Sequence, residues 1–276
     1  MSFRLAPRLL PLPGPLKWGR ALSRWGASWW HLLRFGALAL VVALSPSTYR
    51  RANRLTMAHQ LHARSWDVLP WFTLLSALLS LVLIRIVLVS ALSYGLSQYA
   101  LEMVVRVLVL ELIPLSAALF VALRSSLVLR SGVPEQALLQ MPVATLSPLS
   151  LQRLQQTLVP SLLATAFSVL ALVALSSTVA LVQAYLMVHG LSLWGLPGFT
   201  RTVGHVFSLA VTLGFGLKTL LFSLAVAVVP MAASLETAPP AHNPPASQTV
   251  ALQPGAVRLF LVLLLIEAAS LAVKDF

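Results

Sequence analysis

Charge is scarce in this chain. Asp, Glu, Lys and Arg make up 9% of its 276 residues, hydrophobic residues make up 58%, and the mean hydropathy is +0.89. A soluble domain carries about 25% charged residues. The composition therefore excludes an ordinary soluble fold and indicates an integral membrane protein.

Cysteine is absent, so neither a disulfide nor a thiolate can contribute to the fold or to chemistry. The residue patterns of common enzyme sites are missing as well. The chain has no GxxxxGK[ST] phosphate-binding loop, its six His are scattered, and no nucleophile and base form a recognisable pair. We expect no enzymatic activity, no metal and no cofactor in this chain, with any ATP hydrolysis in another subunit.

Acidic residues are few, and the formal net charge is +12. Ten of the 19 Lys and Arg residues lie between Arg4 and Arg64, together with four Trp. This distribution is typical of a topology signal and a membrane-surface anchor rather than of nucleic-acid binding. We expect residues 1–15 to be mobile and residues 16–44 to form an interfacial helix; the alternative is a short span over residues 27–44.

The remaining apolar blocks are long and lack sustained alternation, which favours helices over a lipid-facing barrel. The sequence predicts an all-α integral membrane protein with five transmembrane helices, at about residues 68–96, 101–129, 158–188, 203–233 and 256–273. A turn is expected around Ser97 and Gln98, and a loop with a short helix at Leu191–Thr202. The basic N-terminal segment places the N-terminus in the cytoplasm.

These spans contain ionisable residues, among them Arg85, Arg106, Glu111, Arg124, Lys218 and Glu267. Charge at bilayer depth costs about 2.5–3.5 kcal/mol on insertion scales, which indicates a polar interior or a partner. Arg106 and Arg124 lie near the ends of their span and can snorkel to the interface. For Glu111 and Lys218 two interpretations stay open, a neutralised pair between helices or direct contact with a substrate. Arg85 is also deep in its span, and we expect a structural role for Glu267.

A short amphipathic helix is predicted at about residues 134–140, between the second and third spans. Pro134 suits a first helical turn, and Leu138, Leu139 and Met141 could dock in a groove of a partner. Such a helix on the cytoplasmic side is what a peripheral ATPase needs to pass movement into the membrane. The alternative is an ordinary surface helix.

The second span and the segment after it resemble the MlaE (YrbE) permease family of bacterial ABC transporters. Glu111-Leu112-Ile113-Pro114 is similar to the Glu-Leu-Gly-Pro part of the family signature, and Arg124 stands where its second Arg falls. Glu135-Gln136 and Met141 resemble the family's coupling helix. Gly216–Phe222 is similar to a Lys-Ser-x-x-Phe stretch of the fourth span, and a Pro-rich loop precedes a last span with an embedded acid.

The chain departs from the family pattern at several positions. Ile113 replaces a Gly, Leu110 replaces the Arg before the acid, and Leu123 replaces the Gly before the second Arg. The segment between Arg124 and Glu135 is shorter and lacks an Ala-Glu-x-Gly element. With these departures, the resemblance implies a divergent permease or a degenerate partner of another permease chain.

The resemblance implies a permease domain over residues 16–273 that moves phospholipid or a related lipid in the bacterial envelope. It implies an inner-membrane location, a separate ABC ATPase that uses ATP, a periplasmic MCE-domain lipid-binding protein, and a homodimer or a heterodimer with a second permease. Candidate lipid contacts are Glu111, Lys218, Arg124 and Arg85; candidate ATPase contacts are Pro134, Glu135, Gln136, Leu138, Leu139 and Met141. The alternatives are the coupling component of another ABC system, such as a vitamin importer, or a membrane scaffold without transport.

Overall fold

The computed structural model describes Gly26 and residues 69–130, 148–236 and 254–274. Apart from Gly26, the predicted interfacial helix at 16–44 lies outside the described residues, as do the N-terminal segment 1–15 and the coupling helix at 134–140. Within the described ranges the chain forms helices joined by short turns, and no strand occurs there. The prediction of an all-α membrane protein is confirmed.

Five of the helical stretches are long and apolar enough to cross a membrane. The first is α1 (Leu69–Ser93), and the second is built from α2 (Ser97–Val104), a π-helix (Val105–Leu112) and α3 (Ile113–Arg130). The others are α4 (Pro148–His189), α6 (Leu209–Glu236) and α7 (Pro254–Lys274). The shortest apolar window, Gly255–Ala272, has 18 residues, close to the roughly 20 that a 30 Å hydrocarbon core requires.

Several helix bounds differ from the sequence-based prediction. Helix α4 begins at Pro148, ten residues before the predicted start at 158. The fourth span begins at Leu209 rather than at 203, because a separate helix, α5 (Leu196–Val206), precedes it. The break falls at Phe207, whose ψ of 55° is not helical, and at Ser208, whose hydroxyl accepts a long hydrogen bond from Val211 N at 3.5 Å. Apolar residues continue through this break, so hydropathy alone does not reveal it.

A glycine in the left-handed backbone region makes each of two tight turns, one after α1 and one after α4. Gly95, with φ of 71°, ends α1, and Gly190, with φ of 65°, ends α4. Leu96 N donates to Ala91 O at 2.8 Å across the first turn. This turn occupies Tyr94–Leu96, just before the predicted Ser97–Gln98 position, because glycine reaches positive φ without the steric cost that other residues meet.

Small and polar side chains hold α1 against α4. The buried face of α1 repeats every four residues, at Phe72, Ser76, Ser80 and Ile84, while most of its leucines are exposed. Ser80 Oγ donates to Gln183 Oε1, and Gln183 Nε2 donates to Ala77 O at 3.1 Å. Interhelical hydrogen bonds and close packing of small residues drive association where lipid removes the hydrophobic driving force.

Helix α6 is the centre of the bundle. It packs against α3, α4 and α7, and its buried residues include Phe222, Val226 and Val229. Helices α1 and α7 are the least enclosed spans and present rows of exposed leucines. We call the end of the bundle with Arg130, Glu236 and Pro254 the Arg130 end, and the end with Gly95 and Gly190 the Gly190 end.

Candidate functional site: an ion cluster between three spans

The π-helix determines where Glu111 lies. Residues Val105–Leu112 have the wider π turn, and Ile113 N donates to Leu108 O, five residues earlier. The α-helical donor for Leu110 O would be the N–H of residue 114, which is proline and has none. Short π segments inside α-helices occur frequently at functional sites. Here the segment presents Glu111 and the Leu110 carbonyl together to α6.

Lys218 of α6 fills this position. Its Nζ donates to Glu111 Oε2 and to Glu267 Oε1 of α7, the latter at 2.9 Å. A third, long contact reaches Leu110 O at 3.5 Å, and the Phe222 ring centre lies 5.8 Å away. An ammonium group has three N–H donors, and the protein directs an acceptor at each of them. Lys218 therefore has no donor left for a ligand.

The ion cluster, defined as Glu111, Lys218 and Glu267, is not buried evenly. The Lys218 side chain is 2% exposed, whereas those of Glu111 and Glu267 are 17% and 15% exposed. Two carboxyl groups surround one ammonium, and Glu267 Oε2 has no hydrogen-bond partner among the described residues. A ligand that approaches the cluster would consequently meet the acids first and the lysine only behind them.

Comparison with known proteins decides what kind of chain carries this cluster. A family model described as Permease MlaE matches residues 57–270. The chain belongs to the MlaE permease family. No curated protein and no solved structure matches it. The MlaE match and the five spans make the chain a multi-pass membrane protein and the transmembrane permease component of an ABC transporter, a non-enzymatic subunit that works with other transporter chains.

The MlaE permease brings together two of its predicted site residues. Glu111 and Lys218 form the pair that the sequence left open, and Glu267, expected to be structural, completes the cluster. Position 110, an Arg in the family signature, is Leu here; its side chain is buried and packs with Val105 and Val206 beneath α5. The apolar residue thus joins α5 to the bundle instead of adding a cation to the cluster.

The other predicted site residues lie apart from the cluster. Arg85 is on the exposed face of α1. Arg124 is half-buried in α3, thirteen residues after Glu111, which corresponds to about 20 Å along a helix. Arg106 is exposed and pairs with Glu102 at 2.8 Å one turn away. The candidate ATPase contacts Pro134, Glu135, Gln136, Leu138, Leu139 and Met141 lie outside the described residues.

The cluster does not have the composition of a metal site. Among the described residues, no group of three or more His, Asp or Glu could hold a metal ion. Lys218 occupies the space between the two acids where a cation would bind. The arrangement can present hydrogen-bond acceptors at membrane depth and can bind polar groups, but it holds no nucleophile with a partner base.

Proposed function

We propose that this MlaE permease moves phospholipid or a related lipid across the bacterial envelope from a position in the inner membrane. It works as a homodimer, or as a heterodimer with a second permease. A separate ABC ATPase supplies the energy, and a periplasmic MCE-domain protein exchanges lipid with the permease. The observation that carries the proposal is the ion cluster at bilayer depth, since a lipid in transit needs polar contacts for its headgroup inside hydrocarbon.

Different residues of the cluster have different roles in this proposal. Glu111 and Glu267, whose side chains are 17% and 15% exposed, contact the headgroup, while Lys218 holds both acids and acts as a positioning residue. A charged group at this depth is stable only while its partners remain in place. Movement of α3, α6 or α7 that separates these partners would therefore change how the cluster receives a lipid. Arg124, nearer the Arg130 end, and Arg85 on α1 are proposed secondary contacts.

Energy from the ATPase would enter at the Arg130 end. We place the N-terminus and this end in the cytoplasm, in agreement with the basic N-terminal segment. The segment at 134–140 follows α3 in the sequence, and α3 is continuous with the π-helix that carries Glu111. If this segment docks on the ATPase, α3 and the π-helix would connect the docking site to the ion cluster along a single span.

Co-purification tests the assembly. The tagged permease is expressed together with its neighbouring genes and isolated in a mild detergent, and the bound proteins and lipids are identified by mass spectrometry. The proposal expects an ABC ATPase, an MCE-domain protein and phospholipid. Absence of both protein partners would contradict it, and a small vitamin in place of phospholipid would favour a different ABC system.

A further inference from the structure

An apolar cleft lies between α3, α6 and α7, toward the Arg130 end and apart from the ion cluster. Its volume is about 140 Å³, and the residues that line it are all apolar. Every lining residue also falls within one of the three candidate spans Tyr99–Ser125, Leu209–Ala233 and Gly255–Ala272. The cleft is therefore at membrane depth, and Glu111, Lys218 and Glu267 of the ion cluster do not line it.

The sequence explains why space remains at this place. Pro230 stands inside α6, where it removes one helical hydrogen bond and its ring pushes against the preceding turn. Small residues contribute the rest of the wall: Ala122 from α3, Ala233 from α6, and Gly255 and Ala256 from α7. A Cβ built on Gly255 would lie 2.6 Å from Ala233 Cβ, so the α7 backbone at Gly255 lies directly against the Ala233 methyl group of α6 at one edge of the cleft. The contact holds the helices together while the small side chains leave the neighbouring volume unfilled.

The size and lining exclude water as the occupant. A cavity of about 150 Å³ with a purely hydrocarbon wall stays dry and binds benzene-sized apolar groups. The cleft is of that size and offers no polar side chain to hold a water molecule. Leu123 and Phe260, two of its lining residues, are 65% and 51% exposed, so the cleft opens on the outer surface of the bundle. In a bilayer, the material next to that opening is acyl chain.

We propose that this cleft binds an acyl chain of a phospholipid from the leaflet at the Arg130 end. Part of the chain, equivalent in volume to a benzene-sized group, enters between α3 and α7. Two cations lie close in sequence to the lining residues: Arg124 follows Leu123, and Arg258 precedes Leu259. Both are half-buried. Long basic side chains near the end of a span can reach the interface, where the phosphate of a lipid lies. The site differs in place and chemistry from the ion cluster, and it does not depend on transport.

Lipid retention tests the proposal on the full-length chain. The wild-type protein and two variants are placed in nanodiscs of phosphatidylethanolamine and phosphatidylglycerol, extracted, and examined by native mass spectrometry for retained lipid. Ala256→Trp puts a large side chain at the cleft, while Val257→Trp, at the adjacent and exposed position, is the matched control. We expect retention to fall about tenfold in the first variant, equivalent to about 1.4 kcal/mol, and to stay at the wild-type level in the control.

A second measurement guards against misfolding of the Trp variant. A phospholipid with a diazirine in one acyl chain is photolysed with the wild-type chain and with the milder Ala256→Leu variant. Labelling should concentrate on the peptides with Leu123 and Phe260 and should decrease in the variant. Equal retention in Ala256→Trp and Val257→Trp, or labelling spread evenly over all spans, would overturn the proposal.

Other occupants are separate outcomes of the same experiment. The natural chain lacks cysteine, so Ala256→Cys gives a single reactive position. A disulfide between two copies, formed in the bilayer at high yield, would assign the cleft to a second copy and overturn the lipid proposal. Retention is measured without ATP or an ATPase. Retained lipid without lipid transfer would therefore contradict the proposed function but not the cleft. Lipid transfer without retained lipid would contradict the cleft proposal but not the proposed function.

Discussion

Lys218 is the residue on which the centre of this bundle depends. It is the only cation of the ion cluster, and its charge offsets the repulsion between two acids that lie close to each other in a medium of low dielectric constant. A buried ion pair adds little stability compared with apolar packing, but removal of one partner leaves an uncompensated charge. The lysine is consequently more important for keeping the three helices together than its number of contacts would suggest.

Replacement of this lysine should destabilise the fold strongly. Lys218→Met keeps the length of the side chain but leaves both acids without their cation, and the expected loss is about 3–5 kcal/mol. Unfolding in detergent, followed by circular dichroism, measures it. Arg106→Met, which breaks the exposed pair with Glu102, is the control and should cost about 0.2–1 kcal/mol. Equal losses of stability in the two variants would show that the ion pairs of Lys218 do not stabilise the fold more than an exposed pair does.

Loss of one acid should affect function more than stability. Glu111→Gln removes a carboxylate but leaves the Lys218–Glu267 pair, so the cluster retains one cation and one anion. We expect lipid transfer by the reconstituted transporter to fall at least several-fold while the unfolding midpoint changes less than in Lys218→Met. The control is Glu102→Gln, outside the cluster. A Glu111→Gln variant with full transfer activity would contradict a headgroup role for this residue.

At the scale of the element, the second span shows how a local irregularity places a functional group. A regular α-helix with Pro114 would leave the Leu110 carbonyl without its usual donor. In the π-helix this carbonyl lies 3.5 Å from Lys218 Nζ, so the lysine supplies a donor in place of the missing N–H. Pro114 can be recognised in the sequence, but the wider π turn cannot. The residues VRVLVLEL have no pattern that distinguishes a π-helix from an α-helix.

The turn between α1 and α2 gives a prediction for an element boundary. Gly95 has a φ of 71° and open space around it, so an added Cβ would meet no neighbour and the cost would come from the backbone alone. Gly95→Ala should lower the free energy of unfolding by about 1–2 kcal/mol. Gly204→Ala, in α5 with ordinary φ and equal space, should raise it by about 0.5–1 kcal/mol. Thermal unfolding measures both changes. A loss of stability in Gly95→Ala with a gain in Gly204→Ala would support this backbone geometry, and a loss in both variants would contradict it.

At the scale of the whole molecule, the alternation of five spans predicts which ends share a side. With the N-terminus in the cytoplasm, the Gly190 end is outside and the 134–140 segment is inside. In the cysteine-free chain, Trp194→Cys should react with a membrane-impermeant maleimide in intact spheroplasts, because Trp194 is 95% exposed. Ala137→Cys should react only after permeabilisation. The reverse labelling pattern would contradict the assigned orientation.

Composition and hydropathy by themselves determined the class of the protein and the number of its spans. An apolar run of 18 or more residues has few alternatives to crossing a bilayer, because every backbone polar group must be satisfied within the segment. Depth along a span was also readable from the chain. Lys218, Glu267 and Glu111 lie 15, 12 and 14 residues from the Arg130 ends of their apolar windows, at Ala233, Gly255 and Ser125. This similar depth could have indicated that Glu267 belongs with the other two.

Only the tertiary structure decided which of the intramembrane ionisable residues meet. Depth is one coordinate, whereas contact also requires the rotation of each helix and the choice of neighbours, and both are set by packing over the whole bundle. Arg85 is as deep as the cluster residues, yet α1 turns it to the exposed surface. Glu111, Lys218 and Glu267 come together because α6 lies between α3 and α7 and because the π-helix gives one acid its direction.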